Sequence, residues 1–405
     1  MNIYISGISG TGMGPLALMA KAAGHKVYGS DLAKGAIFDE LKKAGIEVFI
    51  GKQDGEFLKE KIRDGVDWFV YTSALPSDHS ELVLAKEAGI KCTKRDDFTA
   101  FLVDELGLKM VAVAGTHGKT TTTSMIIFAA LKLGLPVSYI VGTTLGFAPS
   151  GAYHVGDKYF IYEADEYDRN FLKFHPWLAV IPYVSYDHPD IYPTQEDYLE
   201  AFSKFESQSG GVIKDAKVDG LTLAGEARKK DAALAIAAII RMAPEKGKSE
   251  IIEVLNEFPG VGRRFEKLAD GIYTDYAHHP EEIAATMDVA RDEAERCNKN
   301  GIVVVYQPHQ NTRQHEVRNG YFDAFVGAEK IFWLPTYLTR ENPDLPVLTP
   351  IDLINELSNA DKAEPMEMND ELYEQIIKYR DAGYLVILMT AGPADAWLRK
   401  KLGKN

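Results

Sequence analysis

The segment Val111-Ala-Val-Ala-Gly-Thr-His-Gly-Lys-Thr-Thr-Thr-Thr123 constrains this chain more than any other. Its first four residues, small and apolar, read as a short buried strand. Gly115 to Gly118 then make a tight loop, and a helix opens at Thr120. A strand, a glycine-rich loop, Lys-Thr and a helix together form a cradle for phosphates. Loop N–H groups and the positive helix end face the anion. Lys119 reaches the outer phosphates, and the Thr120 hydroxyl can ligate magnesium. Gly115, Thr116, His117, Gly118, Lys119, Thr120 and Thr121 are therefore the expected nucleoside triphosphate site. The general G-x-x-x-x-G-K-[ST] pattern would need glycine at 113, where this chain has valine, so the loop is a compact Gly-Thr-x-Gly-Lys-Thr form.

A chain of 405 residues predicts two or three domains. The formal net charge of −14 counts against a nucleic-acid binder, which normally carries a basic face. Anionic substrates must then be held by local Lys and Arg, magnesium and helix N-termini. Cys92 and Cys297 lie far apart, form neither a disulfide framework nor a metal motif, and fit a reducing cytoplasm. The chain opens directly on the strand Asn2–Ser6, with no basic-then-apolar leader. No apolar run approaches the roughly 20 residues of a membrane helix. A cytoplasmic protein without membrane or nucleic-acid partners is expected, as a monomer or weak homodimer.

Strands and helices alternate in three segments, the rhythm of doubly wound parallel sheets. The first places strands at 2–6, 26–29, 46–50, 67–71 and 90–93 and helices at 15–23, 37–44 and 80–88. The second begins near 109 and continues with strands 158–163 and 178–181 and helices 196–207, 229–243 and 248–257. Phe258-Pro-Gly-Val-Gly262 reads as a linker. The third has strands 271–275, 301–306, 330–334 and 384–389 and helices 280–296, 315–326 and 369–381.

Polar residues collect at strand ends. Gly7-Ile-Ser-Gly-Thr-Gly-Met-Gly14 follows the first strand, and Asp31 ends the second. This is either a diphosphate loop with an acid near a ribose, or a tight turn with a capping aspartate. A dinucleotide-dependent oxidoreductase would suit this loop but leaves the second phosphate loop unexplained. Glu163 ends an apolar strand beside that phosphate loop, where magnesium is usually held. Asp165, Glu166 and Asp168 read as a solvated acidic turn. His188 is a magnesium ligand or, on chemistry alone, a capping or buried histidine. Arg263-Arg264 is a phosphoryl clamp or a surface charge pair. Asp275-Tyr-Ala-His-His-Pro280 and Tyr306-Gln-Pro-His309 through Arg313 lie where open α/β sheets bind ligands.

This ordered set resembles the Mur ligase family. The resemblance rests on Gly7–Gly14, Gly29-Ser-Asp31, Tyr71-Thr-Ser-Ala74, Ala114–Thr122, Glu163-Ala-Asp-Glu166, Asp187-His188-Pro189, Gly260-Val-Gly-Arg-Arg-Phe265, Asp275–Pro280 and Gln307-Pro-His309. It implies three α/β domains on mainly parallel, Rossmann-like sheets, the central one trimmed. Residues 1–108 would bind a UDP-sugar, 109–259 ATP, and 260–405 the amino acid. It implies an ATP- and Mg2+-dependent, ADP-forming amide ligase of peptidoglycan precursor synthesis, joining L-alanine to UDP-N-acetylmuramate through an acyl phosphate.

By matching position, Gly7, Gly10, Thr11, Gly12, Met13 and Asp31 would hold the UDP-sugar, with Ser73 nearby. Lys119 would stabilise the β- and γ-phosphates. Thr120 and Glu163 would bind a first magnesium and His188 a second. Arg264 would reach the γ-phosphate, and Asp275 would meet the ATP ribose. His278, His309 and Arg313 would face the amino acid, with Arg313 on its carboxylate.

The chain departs from the family pattern in three places. Few residues separate Gly210-Gly-Val-Ile213 from Leu221-Thr-Leu-Ala-Gly225, where the family carries further strands. Ala227, Arg228 and Asp231 replace a His-Asn and a later Asn associated with adenine binding. Gln310 follows His309, where relatives often have Arg or Thr. A ligase for a preformed tripeptide and a non-catalytic UDP-sugar or nucleotide sensor are the alternatives.

Overall fold

The computed structural model describes all residues except Ala36, Ser73, Ala74, Pro189, Arg340 and Asn405. β1 (Asn2–Ser6), β2 (Lys26–Asp31), β3 (Glu47–Ile50), β4 (Trp68–Tyr71) and β5 (Lys91–Lys94) form a parallel sheet in the order β3-β2-β1-β4-β5. Chain order reverses between β1 and β4, so the loops leaving these two strands open a crevice. The Gly7–Gly14 loop sits there, and Gly7 approaches Thr72 of the other loop. Ile3, Tyr4, Ile5 and Ser6 are all buried, as expected of a central parallel strand covered on both faces.

Beneath this crevice lies Glu81, only 1% exposed. Its carboxylate accepts hydrogen bonds from Tyr4 (2.7 Å), Ser6 (2.7 Å), Ser30 (2.7 and 2.8 Å) and Gln53 (3.2 Å). Four donor residues, on two strands and the loop after the third, compensate for its lost hydration. The Ser30 carbonyl in turn accepts the Gly7 and Ile8 N–H groups, so this buried cluster sets the floor of the loop.

The second sheet contains β6 (Lys109–Val113), β7 (Val137–Ile140), β8 (Gly151–Ala152), β9 (Tyr159–Glu163), β10 (Leu178–Val180) and β11 (Val212–Ile213). Its order is β11-β10-β6-β9-β7-β8, parallel except for the β7–β8 pair. It ends on the two-residue β11, and among the described residues no strand lies between Ile213 and helix Glu226–Met242, in line with the trimmed edge expected. One apolar core joins the first two sheets, with Leu16, Phe98 and Leu102 among the same cluster as Met110, Phe160 and Phe174. Within it the Tyr162 hydroxyl donates to buried Asp96 at 2.6 Å.

The third sheet contains β12 (Glu266–Ala269), β13 (Ile272–Asp275), β14 (Ile302–Gln307), β15 (Ala328–Trp333), β16 (Ala363–Pro365) and β17 (Leu385–Thr390). Its order is β12-β13-β17-β14-β15-β16, parallel except for β12–β13. Separate apolar clusters form around Tyr306 and Trp333 and around Val303 and Phe332. The chain divides into two compact units, one of residues 1–221 and 231–258, the other of 222–230 and 259–405. Among the described residues, no helix is long and apolar enough to cross a membrane.

Helix Pro280–Arg296 occupies its predicted range, because Pro280 stands at its first turn and His279 with Glu282 forms a capping box. The helix expected over 315–326 instead runs Asn311–Val317 and tightens into a 3-10 turn over Arg318–Tyr321. The Glu341 carboxylate accepts the Asn311 and Thr312 N–H groups, each at 3.0 Å. That cap comes from 30 residues downstream, so no local pattern announces it.

Glu81→Gln keeps the side-chain volume but turns an amide N–H against hydroxyl and amide donors. It is expected to lower unfolding free energy by about 1–3 kcal/mol. Denaturant titration should show a lower midpoint with an unchanged slope.

Candidate active site

The phosphate loop departs from β6, and its shape follows from two glycines. Gly115 has φ +154° and Gly118 φ +80°. A Cβ on Gly115 would lie 2.7 Å from the Tyr183 carbonyl, and one on Gly118 would lie 2.7 Å from Asp231 Oδ1. Only glycine fits either position. Thr116 ties the loop down, accepting from the Ser185 N–H (2.9 Å), donating to the Ser185 carbonyl (2.7 Å) and sharing a hydrogen bond with the Tyr198 hydroxyl. His117 stacks on Tyr183 with ring centroids 5.7 Å apart. Helix Lys119–Lys132 opens at Gly118 without a side-chain cap, leaving its first N–H groups to the loop mouth. Thr121 is half-buried on its first turn.

Parallel register places Val113 of β6 opposite Glu163 of β9. The Thr120 hydroxyl therefore donates to Glu163 Oε1 at 2.8 Å. Glu163 Oε2 is buried and takes no hydrogen bond among the described residues. A hard cation would complete this pair of oxygen donors. Lys119 Nζ donates to the Gly115 carbonyl (2.5 Å) and to Glu166 (2.9 Å).

Glu166 corrects the expectation of a solvated turn, being 1% exposed. Burial works to raise its carboxyl, but Lys119 and His188 outweigh that and hold it below the usual range. Burial likewise works to lower the Lys119 ammonium, and Glu166, Asp165 and Glu163 outweigh it and raise it. Asp165 is pushed up by burial and by Glu166. Asp168, about one-third exposed, pairs with Lys94. His188 Nε2 lies 3.6 Å from Glu166 Oε1 and 3.7 Å from Asp187 Oδ2, on a backbone with φ +59°.

In the first sheet's crevice, Asp31 accepts the Ser9 N–H at 2.8 Å and the Leu32 N–H at 2.8 Å. It holds its own loop in shape. Gly10 N–H donates to the Gly7 carbonyl, and Gly12 caps helix Met13–Ala22 without a side-chain bond. Thr11 is exposed and Met13 buried, while Ser73 lies outside the described residues.

In the second unit, both Asp275 oxygens accept backbone N–H groups, from Phe265 (2.7 Å) and Ala277 (2.8 Å). Burial raises this carboxyl, against Arg264 and those N–H groups. Arg263, with φ +57°, donates to the Thr390 carbonyl, so it belongs to the scaffold. The Arg264 guanidinium stands 5.1 Å from the Tyr276 ring centre. Arg313 Nη1 lies 2.6 Å from His278 Nε2. A guanidinium only donates, so Nε2 accepts and the neutral ring carries its proton on Nδ1, facing the Tyr276 carbonyl at 3.0 Å. Burial lowers the His278 pKa, and Arg313 and Arg264 add to that against Glu282. The His309 ring sits edge-on to His278, 5.7 Å between centroids.

Sequence reasoning passed over Glu81, Arg95 and Asp96, and read Glu166 as solvated. Glu166 did stand inside the quoted Glu163-Ala-Asp-Glu166 run. Glu81 carries no local signal because Tyr4, Ser6 and Ser30 lie on distant strands, and Asp96 meets Tyr162 of β9 as well as its neighbour Arg95.

Two family models match, "Mur ligase family, catalytic domain" over residues 2–105 and "Mur ligase middle domain" over 113–233. A UDP-N-acetylmuramate–L-alanine ligase of Carboxydothermus hydrogenoformans is 32% identical, across 99% of this chain and 96% of that protein. One from Clostridium botulinum strain Langeland is 30% identical, across 96% and 95%. Among solved structures, the UDP-N-acetylmuramate–alanine ligase of Thermotoga maritima superposes with a TM-score of 0.77 at 23% identity, covering 100% of this chain and 98% of that one. A murein peptide ligase of Psychrobacter arcticus gives 0.61 at 20% identity, again covering 100% and 98%. These two share the fold. With near-complete coverage at 32% identity, two domain models and a phosphate loop facing a strand-end glutamate, the chain belongs to the Mur ligase family.

Proposed function

We propose that this protein uses ATP to join L-alanine to UDP-N-acetylmuramate. The observation that carries this reading is the pairing of Lys119 and Thr120 with Glu166 and Glu163 at adjacent parallel strand ends. The relatives it resembles end to end are named for that reaction. A carboxylate oxygen of the sugar nucleotide attacks the γ-phosphorus, the bond to the β-phosphate oxygen breaks, and ADP leaves. The alanine amine then attacks the acyl carbon, and phosphate leaves with the electron pair of the broken C–O bond. Positioning and charge neutralisation supply most of the acceleration.

In this reading residues 1–108 hold the UDP-sugar, 109–259 the ATP and 260–405 the amino acid. Gly7, Gly10, Thr11, Gly12, Met13, Asp31 and Ser73 bound the sugar-nucleotide site. The loop Gly115–Thr121 takes the phosphates, and Lys119 exchanges its Gly115 carbonyl and Glu166 contacts for phosphate oxygens. Thr120 and Glu163 would hold magnesium, which neutralises phosphate charge when bound, and His188 would serve a second ion. Arg264 supplies a cation for the γ-phosphate and Asp275 shapes the ribose pocket. Arg313, held by neutral His278, takes the amino-acid carboxylate beside His309. The protein is read as cytoplasmic, a monomer or weak homodimer.

Phosphate release with ATP, Mg2+ and UDP-N-acetylmuramate should require L-alanine rather than glycine, L-serine or a preformed tripeptide. Release only with the tripeptide would make this a recycling ligase.

Lys119→Ala should cut turnover roughly a hundredfold or more while UDP-sugar affinity stays within twofold. A sensor would show no turnover to lose. Glu163→Gln should raise the Mg2+ concentration for half-maximal rate about tenfold.

His278 has a folded pKa below its unfolded value of about 6.5. The contribution of the neutral ring is thus complete above pH ~6.5 and is lost as pH falls towards the lowered value. Protonation also removes the acceptor that holds Arg313. The KM for L-alanine should therefore rise as pH drops below that point, measured with ATP saturating, and His278→Asn should flatten the profile.

A further inference from the structure

A chain of buried side chains links the residues read as the amino-acid site. Gln314, next to Arg313 on helix Asn311–Val317, is fully buried, as are Tyr321 in the following 3-10 turn and Tyr306 on β14. Gln314 Nε2 donates to the His309 carbonyl at 3.1 Å, and Gln314 Oε1 accepts from the Tyr321 hydroxyl at 2.6 Å. The Tyr321 and Tyr306 hydroxyls are 2.7 Å apart, and the Tyr306 hydroxyl reaches the His278 carbonyl at 3.0 Å. Trp333 packs edge-on against both tyrosine rings. Helix Asn311–Val317 thus grips His278 twice, through Arg313 at ring Nε2 and through this inner chain at the carbonyl.

The inner chain is one hydrogen short. Burial holds both phenols well above the usual tyrosine range, so each keeps its proton and has one to give. Those two hydrogens face three contacts, Tyr321 to Gln314, Tyr306 to Tyr321, and Tyr306 to the His278 carbonyl. Turning the Gln314 amide over does not supply the third, because its oxygen would then oppose the His309 carbonyl. The Tyr306 hydrogen is therefore divided between Tyr321 and His278.

We propose that Tyr306, Tyr321 and Gln314 are positioning residues for the amino acid. They fix the His278 and His309 segments from the buried side, so that His278 stays in place when Arg313 turns from it to the substrate carboxylate. The inference rests on the reading of Arg313, His278 and His309 as the amino-acid site.

Steady-state rates of the full chain with L-alanine varied, and melting temperatures of the same samples, test it. Tyr306→Phe removes the tie to His278. It should raise the KM for L-alanine roughly five- to tenfold, with kcat within about threefold and the KM for ATP within about twofold. Tyr321→Phe removes the competitor for the Tyr306 hydrogen, which then goes wholly to His278. It should leave the L-alanine KM within about twofold although it too lowers the melting temperature. Gln314→Met strips the His309 carbonyl of its donor and should raise that KM about threefold or more, which decides the matter if Tyr306→Phe does not fold. A purely structural role would make the KM changes follow the losses in melting temperature. The proposal is overturned if Tyr306→Phe, or Gln314→Met in its stead, keeps the wild-type KM for L-alanine. It is equally overturned if Tyr321→Phe raises that KM as much as Tyr306→Phe, or if the KM for ATP rises in parallel. A wild-type chain without L-alanine-dependent phosphate release would sink the amino-acid reading itself, and this inference with it.

Discussion

Parallel register is the constraint on which the rest of this molecule depends. Because β6 and β9 run the same way and pair Val113 with Glu163, the phosphate loop and the acidic run emerge at one height. Lys119 then meets Glu166, and Thr120 meets Glu163, with no long side chain strained to reach. An antiparallel neighbour would have sent those carboxylates to the opposite edge. The same rule gathers Gly7 and Thr72 above β1 and β4, and Asp275, Gln307 and Thr390 above β13, β14 and β17.

Buried charge is handled differently in the two sites of the first unit. Glu81 is surrounded by neutral donors, a static arrangement in which every partner is already matched. Glu166 instead faces Lys119, which also leans on the Gly115 carbonyl. The lysine is thus kept charged and close to the loop mouth by groups that a polyphosphate can outcompete. The replacement Asp231 sits against Gly118, so a carboxylate stands where the family pattern has a neutral amide. That places an additional negative charge beside the loop that the Lys119 ammonium serves.

The sequence made the three-segment α/β architecture, the phosphate loop and Glu163 legible, because each is written in consecutive residues. Helix Pro280–Arg296 was legible for the same reason, its proline and capping pair being local. Glu166 was misread as solvated, since its burial comes from the Lys119 loop and from the Tyr192 and Tyr198 region, not from its own neighbours. Arg95, Asp96 and Tyr162 form one cluster only because two sheets share a core, which periodicity along a chain cannot report. The start of helix Asn311–Val317 was missed because Glu341 caps it from a distance.

The segment 222–230 belongs to the C-terminal unit although it precedes the last stretch of the first. Gly225 donates its N–H to Asp292 at 2.8 Å, and its Cα lies so near Val289 that a Cβ would come within 2.4 Å. The C-terminal unit is therefore not a cassette that a single cut in the gene could lift out. A chain beginning at residue 259 would lack the nine-residue strap whose Gly225 packs on Val289 and donates to Asp292.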